Sequence, residues 1–138
     1  MRFFAVIDTN VLVSAAIKPG SVPGQLLELV MDGVIVPVLN KDIVKEYRDV
    51  LSRPKFSFPE NIVNDIMTEF EDQGVFVDAE RLDLDFPDPK DTVFYEVVME
   101  DRKGRDSYLV TGNVKHFPQK PFVVTPRQMI DIIIDAAE

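Results

Sequence analysis

Apolar residues follow two different patterns along the chain. Short continuous apolar runs bounded by turn residues predict β-strands, and these lie at 3–7, 34–39, 75–77, 108–111 and 122–125. Apolar residues that recur every three or four positions predict helices, and these lie at 10–17, 23–32, 40–52, 59–72, 89–100 and 127–137. The two patterns take turns from one end of the sequence to the other.

Strands that alternate with helices through short connections are typical of an α/β protein. The sequence therefore predicts a three-layer α/β/α sandwich with a mainly parallel sheet of four to five strands, and a single domain over residues 1–138. The uninterrupted apolar run at 3–7 predicts a central strand that is covered on both faces. Pro37 indicates that the second strand is irregular or near an edge.

Charge and composition narrow the function classes. The net charge is −9, and residues 71–91 supply −6 of it, because that segment contains eight acidic and two basic residues. This balance disfavours tight non-specific binding to nucleic acid, although basic clusters at 41–55 and 102–105 would guide a short strand. The absence of cysteine excludes a disulfide scaffold, a zinc–thiolate site and a thiol nucleophile. We expect a soluble cytoplasmic protein with no signal peptide and no membrane span.

Three carboxylates lie where helix capping or surface charge explains them incompletely. Asp8 directly follows the first strand, at the sheet edge where ligands gather in parallel sheets; a helix N-cap is its alternative role. Glu46 lies on the border of the apolar face of its helix, where a boundary residue paired with a nearby lysine or arginine is the alternative. Asp91 extends the inward stripe of Phe94 and Val98, whereas Asp88 suits an N-cap.

If these three carboxylates meet, they need a counter-charge. At about 5 Å apart each pair repels by roughly 3 kcal/mol at an effective dielectric of 20, and three such pairs are comparable to the net stability of a domain. All-oxygen ligation favours Mg²⁺ or Mn²⁺ over zinc. Such a cation would activate a water and stabilise charge on a phosphodiester in its transition state.

Four segments in order resemble the PIN domain family, and in particular its prokaryotic toxin components. They are Asp8-Thr9-Asn10 after the first strand, Glu46 on a mid-chain helix, residues 88–91 opening a later helix, and residues 108–117. The resemblance covers essentially the full length. It implies a Rossmann-like sandwich, a metal-dependent ribonuclease acting on single-stranded RNA, a cognate antitoxin and a homodimer.

The resemblance also implies roles for individual residues. Metal ligation falls on Asp8, Glu46 and Asp91, and a further family acid corresponds here to Asn113, a neutral and weaker ligand. We expect a second tightly held metal to be disfavoured by this exchange. Supporting roles fall on Asn10, Asp88 and Thr111. The candidates for RNA contact are Lys45, Arg48, Arg53 and Lys115. For His116, beside Lys115, an ordinary surface position is the favoured interpretation and an approach to substrate phosphate is the alternative.

Three alternatives compete with the nuclease. A PIN-like module with weak or no catalysis would bind RNA or regulate, which Asn113 and the acidic charge favour. A phospho-signalling receiver domain needs two adjacent acids after the first strand, whereas Asp8 stands alone. A nicotinamide-binding domain needs a glycine-rich first turn, which Asp8-Thr9-Asn10 does not provide.

The apolar last helix has two interpretations, a partner surface or deep packing under the sheet.

Overall fold

The computed structural model describes residues 1–137. Its strands are β1 (Phe3–Ile7), β2 (Ile35–Leu39), β3 (Val75–Phe76), β4 (Tyr108–Val110) and β5 (Val123–Val124). Its α-helices are α1 (Thr9–Ile17), α2 (Val22–Met31), α3 (Lys41–Leu51), α4 (Glu60–Gln73), α5 (Thr92–Asp101) and α6 (Pro126–Ala137). Three single-turn 3-10 helices lie at Pro54–Phe56, Pro89–Asp91 and Val114–His116.

The five strands form one parallel sheet in the order β3-β2-β1-β4-β5. The chain first moves from β1 outward through β2 to β3, and then returns to place β4 on the other side of β1. The central strand β1 is therefore the point at which the strand order reverses, and in open α/β sheets ligands bind at the carboxyl ends of the strands at this point. This topology confirms the predicted α/β class.

Burial explains the layers. All five residues of β2 and the last three of β1 are buried, so neighbouring residues that point to opposite faces are both covered. Helix α5 packs on β1, β2 and β4, while α1 packs on α2 and α2 packs on α6. None of the helices described within residues 1–137 is long and apolar enough to cross a membrane.

Pro37 lies in β2, which is next to the edge strand β3, in agreement with the prediction of a strand near an edge. It is opposite Ala5 of β1, but β3 pairs with β2 only from Val38 onward, so Pro37 is outside that ladder. One detail differs from the sequence-based expectation. The helix predicted at 89–100 begins instead with the 3-10 turn Pro89–Asp91, because the Asp88 side chain accepts from the Lys90 amide at 3.0 Å and closes a tighter first turn.

Candidate active site

Asp8 lies at the carboxyl end of the central strand. Its side chain is only 4% exposed, and its amide donates to the Val110 carbonyl at 2.9 Å, which continues the β1–β4 ladder by one residue. This step brings Asp8 next to Thr111, the residue that follows β4. Although Asp8 holds the N-cap position of α1, its carboxylate makes no capping hydrogen bond. The amides of Thr9 and Asn10 nevertheless lie close enough to the carboxylate to lower its pKa, so helix capping accounts for this side chain only in part.

Thr111 holds the Asp8 carboxylate. Its hydroxyl donates to Asp8 Oδ2 at 2.8 Å across 103 positions of sequence, and both side chains are buried. The amide of Asn113 donates to the same hydroxyl oxygen at 3.0 Å, which fixes the rotamer of the threonine. The Asn113 residue itself is exposed at the same edge of the sheet. The supporting role expected for Thr111 thus has a definite contact, whereas the role of Asn113 as a weak ligand stays a prediction.

Helix α3 brings Glu46 to the same edge through two contacts with the segment around Asp8. The Thr9 hydroxyl donates to Glu46 Oε2, and the hydroxyl of the fully buried Tyr47 donates to the carbonyl of Ile7. Residues 46 and 47 are thereby tied to residues 9 and 7, on either side of Asp8. Sequence reasoning missed Thr9 and the anchoring role of Tyr47; the only signal was that each is adjacent to a candidate carboxylate.

Asp91 is the last residue of the 3-10 turn that leads into α5. Its side chain is 13% exposed, so it points mostly inward, as the predicted stripe requires. Asp88 caps the turn through the Lys90 amide, as the sequence favours. Asp91 Oδ2 lies 3.2 Å from Nδ1 of His116, a contact that sequence analysis did not predict.

Electrostatics connect the three carboxylates. Burial is the main cause that raises the pKa of Asp8; the Thr111 hydrogen bond opposes this effect, and the charge of Asp91 adds to it. Burial also raises the pKa of Asp91, with opposition from His116 and further increases from Asp88 and Glu46. The pKa of Tyr47 is raised well above its ordinary value by burial and by the charges of Asp8 and Glu46. The charge of Asp91 therefore acts on Asp8, and the charge of Glu46 acts on Asp91.

The remaining candidates are more dispersed. The side chain of Asn10 is exposed and makes no hydrogen bond among residues 1–137, while its amide lies near the Asp8 carboxylate and lowers the pKa of that group; its supporting role stays a prediction. Arg48 is held against α4 by Asn64 at 3.3 Å and Glu71 at 3.9 Å. Lys45, Arg53 and Lys115 are exposed and form no ion pair within the described part of the chain. These three remain free to meet a polyanion.

The donor chemistry of the site fits a hard divalent cation, although the donors are not gathered for one. Asp8, Glu46 and Asp91 supply carboxylate oxygens, and within residues 1–137 none of them is paired with a lysine or an arginine. Their contacts are instead with hydroxyls and one imidazole. No three acidic or histidine side chains of that range form a ready-made ligand group. Coordination by all three acids would require them to move closer together.

Comparisons with known proteins agree with this architecture. A family model described as "PIN domain" matches residues 5–115. The chain is also 31% identical over 116 residues to the uncharacterized protein MJ1680 of Methanocaldococcus jannaschii, an alignment that covers 82% of this chain and 72% of that protein. No solved structure matches the chain. The matched range of the family model includes Asp8, Glu46, Asp91, Thr111 and Asn113.

Proposed function

The chain belongs to the PIN domain family, a nuclease-type fold, and on this premise we propose that it is a Mg²⁺- or Mn²⁺-dependent endoribonuclease that cleaves single-stranded RNA. One observation carries the proposal. Asp8, Glu46 and Asp91 lie around the carboxyl end of the central strand, and their side-chain partners within residues 1–137 are neutral hydroxyls and an imidazole rather than lysine or arginine. Such an arrangement costs stability and is typical of a site kept for a ligand.

The metal would be held by Asp8, Glu46 and Asp91, with Asn113 as a neutral and weaker contributor. The chemistry supplied by a bound divalent cation at such a site is activation of a water and stabilisation of negative charge on the phosphate. The chain itself orients the ligands. Thr111 fixes one oxygen of Asp8, and Thr9 fixes one oxygen of Glu46. Hydroxyls are suited to this task because they orient a carboxylate without neutralising its charge.

Exposed basic residues would guide the RNA strand. Lys45 precedes Glu46 on α3, Lys115 precedes His116 on the 3-10 turn, and both lysines are exposed. Arg53 would contact the strand farther along, beyond the end of α3. Arg48 is a weaker candidate than the sequence indicated, because binding RNA requires it to leave Asn64 and Glu71. These contacts would be to phosphates and therefore salt-dependent.

We further propose that the protein acts in the cytoplasm as the toxin of a toxin–antitoxin pair and forms a homodimer. Helix α6 supports a partner surface: Met129 and Ile130 are buried, whereas Ile134 is 50% exposed. Packing in the interior stays the alternative role of this helix. A cavity of about 830 Å³ lies between α6 and residues 114–124 and adds to this surface.

The test is cleavage of single-stranded RNA by the purified protein with Mn²⁺. We expect cleavage by the wild type and a loss of at least about a hundredfold in Asp8→Asn, since a metal ligand is removed. Asp101→Asn is the matched control, because Asp101 is equally buried but lies at the other end of the sheet. Equal cleavage by Asp8→Asn and the wild type would contradict the proposal.

A second candidate is a PIN-like module that binds RNA without cleaving it. Two observations favour it: Asn113 replaces a charged ligand, and no ready-made ligand group exists within residues 1–137. For this candidate we expect RNA binding without cleavage in the wild type, and cleavage with Mn²⁺ after Asn113→Asp, which adds a fourth carboxylate at the sheet edge. Cleavage by the wild type would decide for the nuclease.

A further inference from the structure

His116 is the only histidine of the chain, and it contacts a proposed metal ligand. Its Nδ1 lies 3.2 Å from Asp91 Oδ2, within hydrogen-bond distance. The histidine side chain is 42% exposed and the aspartate side chain 13% exposed. The imidazole therefore covers the outer side of the carboxylate, while the rest of the Asp91 side chain points into the protein.

The backbone that carries His116 is firmly anchored. The histidine ends the 3-10 turn Val114–His116, and its amide donates to the Asn113 carbonyl at 2.9 Å. The next residue, Phe117, is buried edge-to-face against Phe86 at 5.7 Å, and Phe86 packs in the same way on Tyr95 of α5 at 5.6 Å. Three buried rings thus connect the turn of His116 to both the helix that begins after Asp91 and the loop that precedes it.

This anchoring fixes the backbone position from which the imidazole reaches Asp91. A short aspartate at the first turn of a helix is otherwise free to rotate about its terminal torsion, which is broad and roughly two-fold. A donor held on one side removes that freedom, so one oxygen is occupied and the other is left for a ligand. Aspartate oxygens that coordinate a metal usually have such a partner, and the loss of that partner weakens the metal site.

We propose that His116 is a positioning residue that donates from Nδ1–H to Asp91 Oδ2 and so presents Asp91 Oδ1 to the metal. This inference rests on the proposed function, because it assigns a role toward the same site. In this role the ring nitrogen that donates the hydrogen bond is Nδ1. The competing role, a contact of the exposed Nε2 with RNA phosphate, uses the other nitrogen of the ring.

The first experiment needs no metal. Because the chain has a single histidine, the imidazole of tag-free, ¹⁵N-labelled protein gives one set of nitrogen signals, measured at about pH 8, where an ordinary imidazole is neutral. We expect the proton on Nδ1 in the wild type and a shift of the tautomer toward Nε2–H in Asp91→Leu, which keeps the side-chain size and accepts no hydrogen bond. A proton on Nε2 in the wild type would overturn the proposal.

The second experiment uses the different reach of two amides. Asparagine places an N–H donor near the position of Nδ1, and glutamine places one near Nε2. By calorimetric titration with Mn²⁺ alone, we expect His116→Ala to weaken binding by about tenfold or more. His116→Asn should bind within about threefold of the wild type, while His116→Gln should stay as weak as alanine. Lys120→Ala, exposed on the same loop, is the control and should bind like the wild type.

The outcomes separate this inference from the proposed function. Rescue by glutamine rather than asparagine, or equal affinity in all variants, would overturn the positioning role while the nuclease proposal stands. A wild type that binds no Mn²⁺ and cleaves no RNA would contradict the proposed function and remove the role toward the metal. The tautomer would then still decide whether His116 donates to Asp91.

Discussion

Two buried aspartates at opposite ends of the sheet have contrasting partners. Asp8, 4% exposed at the carboxyl end, accepts from the Thr111 hydroxyl. Asp101, 5% exposed, is the last residue of α5 at the amino end and is bound by the Arg105 guanidinium, with Nε 3.1 Å from Oδ1. The arginine also lies over the ring of Phe4 at 4.5 Å. The chain neutralises one of these buried charges and leaves the other uncompensated.

The difference separates stability from function. At the amino end, the hydrogen bonds to Asp101 raise the pKa of Arg105, and Arg102 adds a 2.6 Å hydrogen bond to the Ser107 carbonyl and a contact with the ring of Phe122. These contacts close α5 onto the sheet. At the carboxyl end, the same kind of ion pair would stabilise Asp8 but would occupy the oxygens that a ligand needs. An unneutralised acid is a cost that functional sites commonly carry.

The largest stability effect should follow from breaking the ion pair at the amino end. Arg105→Leu leaves Asp101 buried without its partner, so we expect the free energy of unfolding to fall by about 2–3 kcal/mol, somewhat less than for a fully buried pair because the arginine is partly exposed. Urea denaturation measures this change. Cleavage of RNA at a temperature where the variant is folded should be unchanged, and a loss of activity would place Arg105 in the site.

Binding of Mn²⁺ at the carboxyl end of the sheet should stabilise the protein, because it supplies the positive charge that Asp8 lacks. At free Mn²⁺ ten times its dissociation constant, we expect a gain of about 1.4 kcal/mol in the free energy of unfolding. The gain should persist in Asp101→Asn and disappear in Asp8→Asn. Denaturation with and without Mn²⁺ measures it, and an equal gain in all three proteins would indicate binding elsewhere.

Removal of the hydroxyl that holds Asp8 should have a smaller effect. Thr111→Val keeps the shape of the side chain and deletes the hydrogen bond to Asp8 and the acceptor for the Asn113 amide. We expect a loss of about 1 kcal/mol in the free energy of unfolding, together with weaker Mn²⁺ binding. Thr125→Val, at the end of β5 and outside the site, is the matched control for stability alone. Mn²⁺ affinity that is unchanged in Thr111→Val would show that this hydroxyl does not orient the ligand.

The smallest effect should appear in the pH dependence of stability without metal. The pKa of Asp8 is raised in the folded protein by burial, so ionisation favours the unfolded chain once the pH exceeds about 4, the ordinary range for aspartate. The stability that Asp8 contributes is present below that pH and is lost as the pH rises through the folded pKa. Asp8→Asn should therefore be more stable than the wild type near neutrality, and the difference should vanish toward pH 4. Asp106→Asn, an exposed control, should show no such trend.

The sequence predicted the fold well where local pattern and tertiary environment agree. The unbroken apolar runs of β1 and β2 are fully consistent with central strands, and the stripe of Ile43, Tyr47 and Leu51 is the buried face of α3. It predicted less well where a single side chain decides the geometry. Residues 78–88 form no helix or strand, yet Phe86 within them buries its ring between Tyr95 and Phe117. One aromatic residue among acids carries no periodic signal.

The candidate site was predictable as residue types but not as contacts. Strand ends and helical faces pointed to Asp8, Glu46 and Asp91, because those rules depend on local sequence. The partners of these acids, Thr9, Thr111 and His116, depend on which strands are adjacent, and sequence periodicity does not determine strand order. The ion pair of Asp101 with Arg105 was visible as opposite charges four residues apart. The sequence did not show that Asp101 is buried, because its burial depends on how α5 packs against β1.

Both outer strands of the sheet, β3 and β5, are only two residues long. Long exposed edges invite a second chain to add its own strand, and very short ones offer too few free amides and carbonyls for this kind of growth. Two copies of this molecule would therefore meet through side chains on their helices rather than by extending one sheet into the next. Assembly in that manner leaves the polar rim of the sheet open to the solvent, and a long flexible polymer can still approach it from outside.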